Sequence, residues 1–136
     1  MTHHTARLDH VVLWAADPAA AAGFYERTLG LEPLRPAEFT AGEAPFPSVR
    51  VNEETILDLA PHTLADRMPA HPGSAGQPVN HICLSLPFDA LRARLAEHTV
   101  PMTGIGHDFF GAWGKAPRNF YFRDPDGNVV EVRHYA

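Results

Sequence analysis

Two histidines and two carboxylates stand at matched places in this chain. His10 lies in Leu8-Asp9-His10-Val11-Val12-Leu13, and His81 lies in Val79-Asn80-His81-Ile82-Cys83-Leu84. Each motif is an apolar residue, then Asp or Asn, then His, then a β-rich apolar run. Asp58 and Glu131 each come late in an aliphatic stretch, Ile56-Leu57-Asp58-Leu59 and Val129-Val130-Glu131-Val132. A carboxylate buried among such neighbours is costly without a partner, so Glu131 calls for a cation or a hydrogen-bond donor. Two imidazoles and a carboxylate that leave positions open suit a catalytic divalent ion such as Fe(II), Mn, Ni, Co or Zn. His10, His81 and Glu131 are therefore expected as metal ligands. Asp58, one methylene shorter than a glutamate, is expected to reach the ion through water. The plainer alternative makes the histidines ordinary strand residues and pairs Glu131 with Arg133.

The elements that would position these groups repeat. The histidines are 71 residues apart and the carboxylates 73, a nearly constant offset at two separate landmarks. Both histidine motifs read as buried strands from their Val and Ile content. Each is followed by a helical pattern. The first, Pro18 to Leu29, has Pro near its start and Gly30 just past its end. The second, Phe88 to His98, sets Leu91 and Leu95 on one face. Each half closes as strand, turn, strand, and Asp124-Pro125-Asp126-Gly127 is a strong turn signal in the second. Side chains alternate along strands, so His10 shares a face with Val12 and Trp14, His81 with Cys83 and Ser85, and Glu131 with Val129 and Arg133. The pattern gives an α+β fold of two βαβββ modules, about residues 7–66 and 79–135. A Pro/Gly/Ser-bearing linker over 69–78 joins them within one domain.

The paired strand-His motifs, Phe24-Tyr25-x-x-x-Leu29-Gly30-Leu31 and Phe120-Tyr121-Phe122-x-Asp124-Pro125-Asp126-Gly127-Asn128-x-x-Glu131 together resemble the vicinal-oxygen-chelate superfamily of glyoxalases, bleomycin-resistance proteins and dioxygenases. The resemblance spans roughly residues 7 to 135. It implies paired βαβββ modules forming a partly open β-barrel around a divalent metal, usually in a homodimer. It also implies ligand positions at His10, Asp58, His81 and Glu131. Glyoxalase-I-like members use Glu where this chain has Asp58. Fosfomycin-resistance-like and extradiol-dioxygenase-like members use two histidines and one carboxylate, the set retained here.

Around such a site Tyr121 is a candidate proton or hydrogen-bond donor, and His107 a candidate base in the glycine-rich stretch from Gly104 to Asn119, which is expected to form a loop over the cavity. Arg133, Trp14, Ser48 and Arg50 are candidate substrate contacts, with Arg133 able to grip a carboxylate or phosphonate. The chain of 136 residues has a formal net charge of −5 and no concentrated basic face, which argues against nucleic acid. No apolar run approaches the roughly 20 residues that cross a bilayer. The first residues lack the apolar core of a signal peptide, and Cys83 is the single cysteine, so a reducing, cytoplasmic setting is expected. The expectation is a metal-dependent enzyme that chelates two oxygens of a small substrate, by dioxygenase, lyase or isomerase, or fosfomycin-type transferase chemistry. The rival is a dimeric, non-catalytic protein that sequesters a ligand.

Overall fold

Alternation over His10–Ala15 makes β1, with Val11, Leu13 and Ala15 turned toward the core. Asp17 then opens the first helix, α1 (Pro18–Leu29), by accepting the Ala20 N–H at 3.1 Å. Pro18 sits in the first turn, where its missing N–H costs nothing. Gly30 closes the helix at φ 70°, a left-handed cap that a side chain would strain. The computed structural model describes residues 3, 5, 8–67, 79 and 81–135. The expected linker over 69–78 lies outside them, save that its flanking Val79 is described.

After α1 come β2 (Glu32–Leu34), α2 (Pro36–Thr40), β3 (Ser48–Arg50), β4 (Ile56–Pro61) and a 3-10 helix (His62–Arg67). The second half holds β5 (Ile82–Ser85), α3 (Phe88–Glu97), β6 (Phe109–Gly111), β7 (Gly114–Ala116), β8 (Arg118–Arg123) and β9 (Val129–His134). The first sheet has the order β1-β4-β3-β2, and the second β5-β9-β8. The Met102–Phe122 and Gly106–Asn119 bridges stand where a fourth strand of the second sheet would run. The fold is thus the expected α+β pairing of βαβββ modules, with sheets left open rather than closed into a barrel.

Register makes the repeat exact at the residues that matter. Val12, two places after His10, lies across from Asp58 in the parallel β1–β4 pair. Cys83, two places after His81, lies across from Glu131 in the parallel β5–β9 pair. On the other side of each carboxylate, Ser48 faces Asp58 and Tyr121 faces Glu131. One-residue slippage would swap every one of these faces, and the buried aliphatics between them forbid it. Those aliphatics, Val49, Leu57, Leu59, Val130 and Val132, join Phe24, Tyr25, Leu29, Leu91, Leu95, Phe120 and Phe122 in one core, with α1 and α3 packed on each other.

The turn at Asp124 is also a clasp between the halves. Its Oδ1 accepts the N–H groups of Asp126 and Asn128, both at 2.9 Å, while Oδ2 accepts the Tyr25 hydroxyl of α1 at 2.9 Å. Asp126 accepts the Ala16 N–H at 2.8 Å, and Asn128 donates to the Trp14 carbonyl at 3.3 Å. Burial first, and the Asp124 carboxylate second, push the Tyr25 pKa well above its ordinary value. Tyr25→Phe should therefore cost about 1.5–3 kcal/mol at neutral pH, the range for a bond to a charged acceptor. A raised folded pKa means that this contribution is complete below the unfolded value of about 10 and is lost as pH climbs past it. Urea unfolding of wild type and Tyr25→Phe should accordingly converge in alkali. A constant gap would contradict a buried, neutral tyrosine.

Candidate functional site

In the second half the pleat puts Asn119 and Tyr121 of β8, Glu131 and Arg133 of β9, and Cys83 of β5 on one face. Glu131 is only 2% exposed. Its Oε1 lies 3.1 Å from His81 Nε2. Its Oε2 accepts from Arg133 at 2.5 and 3.0 Å and from Asn119 Nδ2 at 3.1 Å. Burial works to raise the Glu131 pKa, but the bonds from Arg133 and Asn119 outweigh it and hold the carboxyl below its ordinary value. The His81 ring stands edge-on to Tyr121, with centroids 5.5 Å apart. Burial and then Glu131 raise the Tyr121 pKa, so its hydroxyl stays a donor at neutral pH. Partial burial of the thiol, then Glu131, push Cys83 up to about 11, which leaves it protonated and a poor nucleophile.

The first half builds a smaller copy. Asp58 accepts the Ser48 hydroxyl at 2.6 Å, and Ser48 in turn accepts from Arg35 at 2.6 Å. Arg35 also stands 3.8 Å from Asp58 Oδ1, and His10 Nε2 stands 3.9 Å from Oδ2. The His10 side chain is 47% exposed. Its Nδ1 meets Asp9 at 2.6 Å; that bond raises the His10 pKa, partial burial works against it, and Asp58 adds to it. Each half therefore sets one imidazole nitrogen against one buried carboxylate, and each carboxylate is steadied by an arginine. Arg35 and Asn119 are the partners that sequence reasoning missed. Arg35 sits in the left-handed region at φ 59° before α2, a conformation that periodicity cannot signal.

His81 and Glu131 thus come together, and His10 comes to Asp58. Among the described residues, no three His, Cys, Asp or Glu side chains gather in one chain tightly enough to hold a metal. Arg133 has its guanidinium committed: two bonds go to Glu131, and Nη1 reaches the Phe109 carbonyl at 3.3 Å and the Tyr135 hydroxyl at 3.4 Å. Ser48 is fully buried against Asp58. Arg50 braces the turn after β3 by donating to the Asn52 carbonyl at 3.0 Å. Trp14 meets His62 edge-on at 6.2 Å. His107 is exposed, with Nδ1 3.1 Å from the Pro117 carbonyl.

The expected loop between Gly104 and Asn119 contains a hairpin, β6–β7, that comes down beside Arg133. Gly111 permits the approach, because a Cβ there would collide with the Arg133 guanidinium and the Tyr135 hydroxyl. Between hairpin and sheet lies a cavity of about 490 Å³. Its polar floor is His81, Tyr121, Glu131 and Arg133, and its walls include Phe109, Phe110, Trp113 and Tyr135. That volume falls within the range of small-molecule sites.

The family model described as the Glyoxalase/Bleomycin resistance protein/Dioxygenase superfamily matches residues 7–132. Among solved structures, an integron cassette protein from the mobile metagenome of V. cholerae aligns with TM-score 0.72 and 23% identity over 100% of both chains. A lactoylglutathione lyase from Agrobacterium tumefaciens aligns with TM-score 0.66 and 22% identity, covering 98% of this chain and 96% of its own. TnmS3, an antibiotic binding protein from Streptomyces sp. CB03234, gives 0.62 and 23%, covering 99% and 100%. At such identities the likeness establishes the fold. No curated protein gives a match. Among the described residues, no helix is long and apolar enough to cross a membrane.

The Arg133–Glu131 pair, both members buried, makes a sharp test. Arg133→Met should destabilise the metal-free protein by about 3–5 kcal/mol, because it strands a buried carboxylate. Adding Glu131→Gln to that variant should recover much of the loss. Chemical denaturation of the three proteins checks this, and a cost for Arg133→Met under about 1 kcal/mol, the scale of an exposed pair, would contradict it.

Proposed function

The chain belongs to the Glyoxalase/Bleomycin resistance protein/Dioxygenase superfamily, and from that premise we propose that it is a divalent-metal-dependent enzyme acting on a small substrate through two neighbouring oxygens. The observation that supports this most is the His81–Glu131 pair at the floor of the cavity. Two donors bound at about 2.0–2.2 Å to one ion and roughly at right angles lie about 3.0 Å apart. His81 Nε2 and Glu131 Oε1 are separated by 3.1 Å. Glu131 Oε2 is already taken by Arg133 and Asn119, which fixes the carboxylate while leaving Oε1 directed at His81. An imidazole nitrogen and a carboxylate oxygen fit Fe(II), Mn, Ni, Co or Zn alike.

His10 is the third ligand in this reading, and it belongs to the other half. Its exposure, and its pseudo-equivalence to His81, favour a site completed by His10 of a second copy in a two-fold dimer. Asp9, bonded to His10 Nδ1 at 2.6 Å, then orients the ring from behind and leaves Nε2 for the ion, while Asp58, 3.9 Å from Nε2, acts through water and is not itself a ligand. A divalent ion held there would serve as a Lewis acid for a chelated substrate. Tyr121, kept protonated beside Glu131, can donate a hydrogen bond to a substrate oxygen over the cavity floor. Arg133 positions Glu131 and does not itself hold substrate.

His10→Ala, His81→Ala and Glu131→Gln should each abolish stoichiometric uptake of the divalent ion, while Asp58→Ala should keep it with affinity about 10–100-fold weaker. Light scattering should give a dimer. Dissociating and remixing His10→Ala with Glu131→Gln should restore about a quarter of the wild-type metal stoichiometry, since half the reassorted dimers regain one site. No restoration would place the three ligands within one chain. Wild-type protein that stays metal-free after dialysis against Fe(II), Mn, Ni, Co and Zn would favour the second reading, a ligand-sequestering protein, which the complete pairing of Glu131 within the chain already allows.

A further inference from the structure

Resting on the reading of this cavity as the substrate site, we infer that its ligand is a planar aromatic compound, neutral or singly charged, that directs its oxygens at His81 and Glu131. Phosphonates and peptide conjugates bearing several carboxylates are excluded. The walls give the first ground. Phe110 and Trp113, at the end of the hairpin, are 78% and 76% exposed in the single chain although both line the cavity. Trp113 is tilted at 52° against Tyr135, with ring centroids 5.1 Å apart, and its backbone N–H donates to the Tyr135 hydroxyl at 3.4 Å. Large aromatic surfaces held in place over a cavity, yet uncovered, are what a stacked flat ring would bury.

Charge gives the second ground, independently. A phosphonate or a multiply charged peptide needs cations with free donors in forked geometry. Among the described residues lining the cavity, Arg133 is the permanent cation, and its donors go to Glu131, Phe109 and Tyr135. Lys115, the nearest other cation on the hairpin, stands 5.2 Å over the Phe110 ring and outside the lining. Glu131 cancels Arg133, so the floor offers hydrogen-bond partners without surplus positive charge. Beyond an ion held by His81 and Glu131, a polyanion would find no free permanent cation among the described lining residues to replace its hydration.

The test uses the whole wild-type protein, metal-loaded and metal-free, titrated calorimetrically with four probes. These are 4-nitrocatechol, 4-nitrophenol, fosfomycin as a phosphonate, and S-hexylglutathione as a peptide conjugate. On the loaded protein 4-nitrocatechol should bind at least about tenfold more tightly than fosfomycin or S-hexylglutathione. Trp113→Ala should weaken it about tenfold at unchanged metal content, and Trp113→Phe should restore most of that loss. Tighter binding of either fosfomycin or S-hexylglutathione, or indifference to Trp113→Ala, overturns the inference. The two readings fail separately. Uptake of metal without aromatic binding defeats this inference alone, whereas 4-nitrophenol binding to protein that takes up no metal defeats the metal reading alone.

Discussion

A buried negative charge at the centre of the second sheet sets the terms for everything around it. Glu131 sits between two core valines on a strand flanked on both sides, where an unpartnered carboxylate would be worth several kcal/mol of instability. The fold answers from three sides at once: Arg133 two residues along the same strand, Asn119 from the neighbour, and His81 just before the parallel partner. Arg133 then cannot act elsewhere, and its remaining donors tie down Phe109 and Tyr135. The charge on one carboxylate thereby determines where the hairpin lies, and the hairpin makes the cavity.

The first half inherits the same problem and solves it with less. Asp58 is shorter, and its steadying arginine comes from a connecting segment, through Ser48, instead of from its own strand. Ser48 occupies the register position that Tyr121 fills in the second half. No hairpin is inserted between β2 and β3; α2 stands there, with no buried residue. Duplication thus supplies two matched histidine–carboxylate pairs, and divergence gives only the second an aromatic roof. A site that needs both histidines must take its pieces from unlike halves, and on the proposed reading a second copy would supply the missing one.

Much of this was legible in the residues. The constant spacing between halves, the strand alternation and the Pro18 and Gly30 punctuation gave both long helices and the faces of His10, His81 and Glu131. The pairing of Glu131 with Arg133 was visible as the plain alternative to metal. What stayed hidden depends on backbone conformations and long-range contacts. β2 and α2 are too short for any period to register, and Arg35, at positive φ just before α2, meets Asp58 through Ser48. The Gly104–Asn119 stretch read as a loop because its glycines break alternation, yet the same glycines let a hairpin turn and press against Arg133. The Asp124 turn was recognisable from its residues, but its grip on Tyr25 joins positions 99 apart in sequence.

Whether Glu131 can serve both Arg133 and a metal turns on its having two oxygens that face different ways. Oε2 takes three donors, so the arginine's attraction and the asparagine's bond hold the group at one end. Oε1 meets the His81 nitrogen at 3.1 Å. A cation arriving between Oε1 and His81 would have to replace one proton or one hydrogen bond, not break the salt bridge. The salt bridge in turn keeps the carboxylate ionised and in one rotamer before any ion arrives, so less ordering is left for binding to accomplish. On the proposed reading Arg133 and a metal would be complementary partners of one carboxylate, the arginine holding the group in the form and rotamer that the ion would need.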